Sequence, residues 1–520
     1  MILQNQVYFE DAREKLFKGI ETVAKAVEVT LGSKGRNVIY VPIDKTIMGE
    51  EAWPKITNDG VSIAQQIFPE DKMERMGADI IKQTCNKTNY EVGDGTTSSA
   101  IWTYEIINEG MKIKDVDPMS IRRELDKAKD EVIKLLDKKA IKITDDKELL
   151  KVARISSEDE TIAELVSRAV IDSGETGKVF VEESAAGETT SEKNEGFTFD
   201  QGYISPMLIT HPGKFEAIFN DVHVLITSKK FILNKEIFPI LKEISQNEIA
   251  QCVIICEDMA SEALATVIQN KLKDKFIAGV VKMPRDRDVF EDLGEFTGCT
   301  LETPDSNSKF SMTHLARVRK VVITKDKITI IKGDRTDNEK SRYSARIEAI
   351  NNDLKEYKGE SKEKLKDRLS RFTSSSVVIK VGAATEAEMK YRRDKIDDAV
   401  AAVTAAKAEG YITGGGLTLR AICKEVDEKL KTTGSGILAR AASRPVEILI
   451  KNAGVEYDAS KINETDGFDT DSGKYTKNLI EKGIIDPVLV AKAVLTNAVS
   501  TAGLFLTLGA AIKDLKSVVK

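Results

Sequence analysis

The stretch from Glu91 to Ala100, EVGDGTTSSA, joins an acid and a run of hydroxyl side chains to the start of a predicted helix. Gly93 and Gly95 allow the backbone to turn tightly and to come close to a ligand. The hydroxyl residues that follow supply hydroxyl and amide donors where the helix of residues 101–109 begins. This arrangement predicts a phosphate-binding site.

Asp94 indicates that a cation accompanies the phosphate. Its carboxylate would repel a phosphate unless a cation stood between them, so we predict that Mg²⁺ bridges Asp94 and phosphate oxygens. The stretch lacks the lysine of a P-loop, which argues against that class of protein. A bare Asp-Gly-Thr is more often an ordinary turn followed by a helix cap, but four consecutive hydroxyl residues favour the ligand site.

Two other glycine-punctuated loops precede this stretch. They are TLGSKGRN from Thr30 to Asn37 and ITNDGVSIA from Ile56 to Ala64. The second repeats the pattern of an acid, Asp59, beside a glycine just before a predicted helix. A run of three glycines, 414–416, opens a later helix and is also suited to lie against a ligand. We predict that the first three loops form one composite site.

Length and composition describe a charged globular protein of several domains. A chain of 520 residues exceeds a single core, which stops growing at roughly 250–300 residues, so two or three domains are expected. The net charge of -6 gives no electrostatic footprint for nucleic acid. Five scattered cysteines predict free thiols in a reducing compartment. Neither a signal peptide nor an apolar run that could span a bilayer is predicted, so we expect a cytoplasmic protein without membrane association.

The predicted elements place an α/β segment between two helical chain ends. Apolar spacing predicts a helix from Asp11 to Leu31, and helices dominate to Leu136 and again over the C-terminal region. Between Asp221 and Thr300, strands and helices alternate, which predicts an α/β domain with a largely parallel sheet. A domain built from both chain ends is the economical interpretation.

Three later segments have distinct patterns. Val318 to Lys332 is predicted to form a hairpin, and Ser341 to Phe372 to form a pair of solvated amphipathic helices. A helix is predicted from Glu386 to Glu409, and it carries the neighbouring acids Asp397 and Asp398. Taken alone, two acids on a helix usually mark a solvated face.

Eight motifs along the chain resemble, in order, those of group I chaperonins of the GroEL type. They are TLGSKGRN at Thr30, ITNDGVSIA at Ile56, VGDGTTSSA at Val92, EALAT at Glu262, VIKVGAATEAEMK at Val378, the Asp397-Asp398-Ala399 helix, GGG at Gly414 and GIIDP at Gly483. The resemblance covers essentially the whole chain, and motifs in the family order make it highly specific.

The resemblance implies a multidomain α and α/β fold with three domains. Residues 1–139 and 409–520 would form a mostly helical equatorial ATPase domain. Residues 140–194 and 376–408 would form a small α/β intermediate hinge domain, and residues 195–375 an α/β apical domain that binds substrate and co-chaperonin.

The resemblance also assigns a nucleotide site for ATP and Mg²⁺, and allows for K⁺. Asp94 would hold the metal, while Asp59 and Asp398 would be catalytic, with Asp398 arriving from the intermediate domain to orient the attacking water. The residues implied to bind the nucleotide are Thr30, Leu31, Gly32, Ser33, Asn58, Asp94, Gly95, Thr96, Thr97, Ser98, Gly415 and Asp486.

Unfolded protein would bind an apolar patch on the apical domain. Without the resemblance, helix-spaced pairs such as Leu264 and Ile268 would be taken as core. An exposed Met- and Leu-rich surface, in contrast, suits promiscuous binding because it repacks around many partners. The implied residues are Tyr203, Met207, Leu208, Phe238, Leu241, Leu264 and Ile268.

The chain departs from the family pattern at several positions. Ser33 stands in place of a proline, Asn58 in place of a lysine, and Asp469 in place of an asparagine near the adenine. Residues 374–375 are serines where the family has a glycine pair at a hinge, and residues 41–53 contain an insertion. These changes predict a divergent family member.

The implied function is ATP-driven protein folding. The protein would form a seven-membered homo-oligomeric ring, single or double, that encloses unfolded clients under a small GroES-type co-chaperonin lid. A divergent ring protein that binds ATP but acts as a holdase or scaffold is the first alternative. A metabolic ATP-dependent kinase is disfavoured because no compact acceptor site accompanies the nucleotide loops.

Overall fold

A computed structural model describes residues 5–8, 12–42, 54–174, 178–184, 187–212, 215–273, 275–284, 286–301, 312–356, 360–373 and 375–514. Most of the insertion at residues 41–53 and Ser374 of the serine pair therefore lie outside the described residues.

The helices are α1 (Ala12–Glu28), α2 (Gly60–Gln65), α3 (Lys72–Val92), α4 (Thr96–Met111), α5 (Pro118–Lys139), α6 (Asp146–Ser157), α7 (Glu160–Ser173), α8 (Asn234–Gln246), α9 (Ser261–Leu272), α10 (Arg287–Thr297), α11 (Asp337–Glu356), α12 (Glu360–Thr373), α13 (Glu386–Glu409), α14 (Leu417–Leu430), α15 (Thr433–Ala441), α16 (Arg444–Asn452) and α17 (Val488–Leu506).

The strands are shorter on average than the helices. They are β1 (Asn5–Tyr8), β2 (Val38–Tyr40), β3 (Lys55–Thr57), β4 (Val179–Glu183), β5 (Thr190–Phe199), β6 (Ala217–Ile226), β7 (Lys230–Phe231), β8 (Gln251–Cys256), β9 (Asp258–Met259), β10 (Ile277–Lys282), β11 (Leu315–Ile323), β12 (Ile328–Ile331), β13 (Ser375–Val381), β14 (Tyr411–Thr413), β15 (Gly467–Asp469), β16 (Lys474–Thr476), β17 (Ile485–Pro487) and β18 (Ala511–Asp514).

The chain divides into two compact units. The first comprises Met1–Arg168, Glu183–Thr189 and Val381–Lys520, and the second Ala169–Glu182 and Thr190–Lys380. Both chain ends thus contribute to the first unit, as the sequence predicts. The division into three domains stays a prediction.

The first unit is a mostly helical assembly with a large hydrophobic core and a smaller cluster that includes Leu417 and Ile450. In α1, the predicted apolar face is buried from Leu16 to Val27, and the helix ends three residues before the predicted Leu31. Helix α17, the most apolar helix of the unit, packs against α4, α5 and α3.

Helix α17 corrects one prediction from the sequence. Its 19 residues have a mean hydropathy of 1.6, so by length and composition alone it could cross a membrane. Within the protein, 67% of this apolar segment is buried, which is the arrangement of a core helix. The length criterion is therefore met, and burial in the core explains the apolar composition.

The second unit is built on an eight-stranded sheet in the order β10-β8-β6-β11-β12-β5-β13-β4. Strands β10, β8 and β6 are parallel, with α8 between β6 and β8 and α9 between β8 and β10. The pairs from β6 through β11, β12 and β5 to β13 are antiparallel. The predicted parallel pairing is confirmed for the strands between Asp221 and Thr300, β6, β8 and β10. The sheet as a whole is not largely parallel, because the β11-β12 hairpin and its neighbours add antiparallel pairs.

The predicted hairpin and amphipathic helix pair are both present in the second unit. Strands β11 and β12 pair with Ile323 opposite Ile328, and α11 and α12 follow as charged helices. These helices are not simply solvated. Their buried side chains include Ile350 and Phe372, and Phe372 packs against Phe197 with ring centroids 5.6 Å apart.

Candidate functional site

The first unit contains a cavity of about 720 Å³. The cavity brings together all of the nucleotide-site residues that the sequence predicts, although they come from both ends of the chain. Those residues are Thr30, Leu31, Gly32, Ser33, Asn58, Asp59, Asp94, Gly95, Thr96, Thr97, Ser98, Asp398, Gly415 and Asp486.

Two left-handed glycines position Asp94 at the cavity wall. Gly93 ends α3 with φ 68°, and Gly95 precedes α4 with φ 77°, a conformation that other residues adopt only with strain. A Cβ on Gly95 would also lie 2.8 Å from Val490 Cγ1 of α17. Both glycines are thus required for a short turn that leaves Asp94 between two helices.

The N-terminus of α4 supplies the predicted phosphate-binding donors. The helix begins at Thr96, five residues before the predicted start, so the hydroxyl residues occupy its first turn. The N-cap residue Gly95 has no side chain to cap this end, and its own N–H donates to Asp94 Oδ1. Among the described residues, the amide groups of Thr96 to Ser98 are left available to an anion. Gly60 lies against the same turn, since a Cβ there would be 2.4 Å from Thr97 Oγ1.

Asp59 has a structural role at the cavity as well as its predicted catalytic one. Its carboxylate caps α2, accepting hydrogen bonds from the backbone N–H groups of Val61 at 3.2 Å and Ser62 at 2.9 Å. The cap fixes the orientation of a negative charge at the cavity wall. Asp486 is fixed in another way: its strand β17 pairs with β14, and its Oδ2 accepts from Gly416 N–H at 3.2 Å.

Burial and mutual repulsion raise the pKa of the carboxyl groups that line the cavity. Burial raises the pKa of Asp94, and the charge of Asp59 adds to this. The pKa of Asp398 is raised well above its usual range by burial and then by the charges of Asp94 and Asp59. Burial also raises the pKa of Asp486 to about 6. The cavity therefore holds more negative charge than its own cations offset.

The donor set at this position fits Mg²⁺. The ion prefers oxygen ligands and is usually held by one or two carboxylates together with substrate phosphates. Within the ranges that the structure describes, no group of three or more acidic, histidine or cysteine side chains forms a complete metal cage. A cation at Asp94 would thus have to share its coordination with a bound phosphate and water.

The structure separates the two neighbouring acids of α13. Asp398 lines the cavity, whereas Asp397 lies 3.9 Å from the Arg393 guanidinium on the preceding turn. A solvated face therefore describes Asp397 but not Asp398. Helix α13 packs on α6, and in this arrangement Asp398 already lines the same cavity as Asp94.

Several cavity residues were missed from the sequence. Lys395 is 6% exposed and lies one helical turn before Asp398, a spacing that could have revealed it. Its Nζ pairs with Glu158 at 3.2 Å. At another part of the wall, the Ser33 hydroxyl donates to Asp471 Oδ1 at 2.7 Å and also contacts the Thr470 hydroxyl, and nothing in local spacing indicated this link between distant loops.

The substrate-binding residues implied by the resemblance lie in the second unit and differ in exposure. Phe238 and Met207 are 52% and 56% exposed. Tyr203, Leu241, Leu264 and Ile268 are partly buried, and Phe238 and Leu241 line a groove between α8 and α9. Leu208 is fully buried in the core beneath α8 and α9, so it does not belong to an exposed patch as predicted. Met207 and Leu208 are neighbours in one short turn, Pro206–Leu208, in which the Met207 side chain is exposed and the Leu208 side chain is buried in the core.

A comparison with known protein families identifies the family of the chain. Residues 23–516 match the TCP-1/cpn60 chaperonin family. The chain belongs to this family. The match covers nearly the whole chaperonin sequence, including every residue that lines the cavity.

Two solved structures share the fold of this chaperonin. Both are crystal structures of the chaperonin gp146 from the bacteriophage EL 2 (Pseudomonas aeruginosa) in the presence of ATP-BeFx. Crystal form II is 18% identical, covers 99% of this chain and 100% of gp146, and has a TM-score of 0.67. Crystal form I is 19% identical, with coverages of 98% and 99% and a TM-score of 0.63. The multidomain α and α/β fold class is thereby confirmed.

Proposed function

We propose that this chaperonin is an ATP-driven folding machine of the group I, GroEL-like type. The observation that carries the proposal is the cavity in which Asp94, Asp398 and the uncapped N-terminus of α4 meet. Its volume of about 720 Å³ lies in the range of roughly 300–1,000 Å³ that is usual for small-molecule sites. Family membership supports a chaperone role, and the chemistry of the cavity supports ATP and Mg²⁺ as its ligands.

The proposed reaction is hydrolysis of the β–γ phosphoanhydride of ATP. The first-turn amides of α4 and the hydroxyls of Thr96 and Thr97 would bind phosphate oxygens. Asp94 would hold Mg²⁺, which supplies neutralisation of phosphate charge. Asp398 would orient the attacking water and accept its proton, and its raised pKa suits this role. Catalysis would consist mainly of positioning and electrostatic stabilisation.

The second unit would bind clients and the lid. The groove between α8 and α9 exposes Phe238 beside partly buried Leu241, an apolar surface on which unfolded segments could pack. We propose that seven copies form a ring, single or double, closed by a GroES-type co-chaperonin in the cytoplasm. The three-domain organisation, with residues 140–194 and 376–408 as a hinge, belongs to the same proposal.

A refolding assay tests this function. Purified protein is incubated with an unfolded client, with and without Mg-ATP and a GroES-type co-chaperonin, and recovered client activity is measured beside phosphate release. We expect refolding that requires ATP and stops in Asp398→Ala. Client capture without recovery of activity would instead support the holdase, and absence of nucleotide binding would reject the proposal.

A further inference from the structure

Lys395 is a buried cation in a cavity that is lined by partly buried acids. Its side chain is 7% exposed, and it lines the same cavity as Asp94, Asp59 and Asp398. Removing an ammonium group from water is unfavourable unless nearby negative charge compensates it. The position is therefore poorly explained by packing alone and indicates an electrostatic role.

Glu158 is the ion-pair partner of Lys395, and it also lines the cavity. The Nζ of Lys395 lies 3.2 Å from Glu158 Oε1, and the Glu158 side chain is 31% exposed. Glu158 caps the end of α6 in a left-handed conformation with φ 56°, which is uncommon for a residue other than glycine, asparagine or aspartate. Because the Glu158 carboxylate is partly solvated, breaking its ion pair costs less free energy than breaking the ion pair of a fully buried carboxylate.

The charge of Lys395 reaches both acids that the proposed function places at the terminal phosphate. Lys395 lies one helical turn before Asp398 on α13 and lines the same cavity as Asp94, and its positive charge opposes the upward pKa shifts of both acids. Arg154 also lines the cavity, but its side chain is 52% exposed and pairs with Glu160, so it is more accessible to water than Lys395. Lys395 is the better placed to meet an anion that enters between Asp94 and Asp398.

We propose that Lys395 binds the terminal phosphate of ATP and that Glu158 is the positioning residue that holds this lysine when ATP is absent. The inference rests on the proposed ATPase function. A terminal phosphate would compete with Glu158 for the ammonium group, because a charge-assisted hydrogen bond to phosphate is strong in a desolvated site. ADP has no third phosphate, so with ADP the lysine stays with Glu158. Lys395 therefore distinguishes ATP from ADP, and it differs in this from a P-loop lysine, which reaches both the β- and γ-phosphates.

Nucleotide affinities of the full-length chain test this role. Titration calorimetry measures binding of Mg-ADP and of a non-hydrolysable Mg-ATP analogue to wild type, Lys395→Met, Lys395→Arg and Glu158→Gln. We expect Lys395→Met to weaken binding of the ATP analogue at least about tenfold and of ADP by less than about twofold, because only the analogue loses a charge-assisted hydrogen bond. Lys395→Arg should restore much of the difference, and Glu158→Gln should strengthen the analogue selectively.

Lys390→Met is the matched control, because Lys390 lies on the same helix, is exposed and pairs with Glu386. It should leave both affinities unchanged. Equal losses for the ATP analogue and ADP in Lys395→Met would show a structural ion pair and overturn the inference. If Lys395→Met does not fold, Glu158→Gln decides the question: an affinity ratio for the ATP analogue and ADP equal to that of wild type overturns the inference. Wild type that binds neither nucleotide would reject the proposed function itself, whereas normal wild-type binding with an unaffected ratio rejects only the role of Lys395.

Discussion

Asp94 and Asp398 come from opposite halves of the chain, yet both line one cavity, and the charge of Asp94 raises the pKa of Asp398. The turn at the start of α4 fixes the first carboxylate and the packing of α13 on α6 fixes the second. The two acids can therefore divide the proposed chemistry between metal binding and water activation.

Asp94→Ala should weaken Mg-ATP binding and abolish turnover together. The substitution removes the carboxylate that would offset the metal charge beside the phosphates. Calorimetry with and without Mg²⁺ measures the loss. Asp115→Ala, which removes an exposed acid outside the cavity, serves as the control. Normal Mg-dependent affinity in Asp94→Ala would exclude this residue as the metal ligand.

Asp398→Ala should bind ATP but hydrolyse it at least roughly a hundredfold more slowly. A carboxylate that orients or deprotonates water contributes about 10² to 10⁴ in rate and little to ground-state affinity. Asp397→Ala is the matched control, because Asp397 faces Arg393 and should behave nearly as wild type. Single-turnover phosphate release compares the two. Equal rates for wild type and Asp398→Ala would contradict the catalytic assignment.

Asp486 should make the nucleotide-free protein less stable as pH rises. Its pKa is raised to about 6 in the fold by burial, so the folded state binds more protons than the unfolded state between about pH 4 and pH 6. Stability is then lost across this window and stays low above it. Asp486→Asn keeps an oxygen acceptor for Gly416 N–H but cannot ionise, so its Tm should rise relative to wild type from pH 4.5 to pH 7. A constant Tm difference would argue against this linkage.

Phe238 and Leu208 should respond differently to the same change. Phe238→Ser removes an exposed ring from the groove between α8 and α9, so client capture should fall while Tm is nearly unchanged. Leu208→Ser places a hydroxyl in a fully buried position and should destabilise its unit by about 2–5 kcal/mol or more. Thermal melts and binding of an unfolded client to both variants separate the two roles. Unimpaired capture by Phe238→Ser would exclude the groove as the client site.

Ring stacking should be sensitive to salt. The resemblance to group I chaperonins implies that Glu447 and Glu456 would stand where that family has an oppositely charged pair between stacked rings. Glu447 lies 3.5 Å from Arg444 within its own helix, while Glu456 is exposed. Like charges across an interface repel most when screening is weak, so a double ring should separate at low ionic strength. Mass photometry at two salt concentrations measures this, and a double ring that persists at low salt would contradict it.

The sequence predicted the residues of the cavity better than the pairing of the sheet. Glycines, acids and hydroxyls are specified by local backbone and chemical requirements, so the loops at Thr30, Ile56 and Val92 could be recognised individually. The direction of β11 relative to β6 depends on contacts between distant segments, which the alternation of strands and helices does not encode. Burial was missed for the same reason: neither the depth of Leu208 nor the pairing of Lys395 with Glu158 follows from spacing along the chain.

The close packing of Gly95 against Val490 limits how the cavity could be changed by engineering. A Cβ at Gly95 would lie 2.8 Å from Val490 Cγ1 and 2.9 Å from Val494 Cγ2 on α17, and it would strain a left-handed backbone, so a change at this turn requires the core side chains on α17 to repack. The part of the cavity wall formed by Ser33, Thr470 and Asp471 is instead connected by side-chain hydrogen bonds of the Ser33 hydroxyl, which other polar side chains could replace. A designer who wishes to alter nucleotide preference or exchange rate should mutagenise that wall and leave the glycine turn untouched.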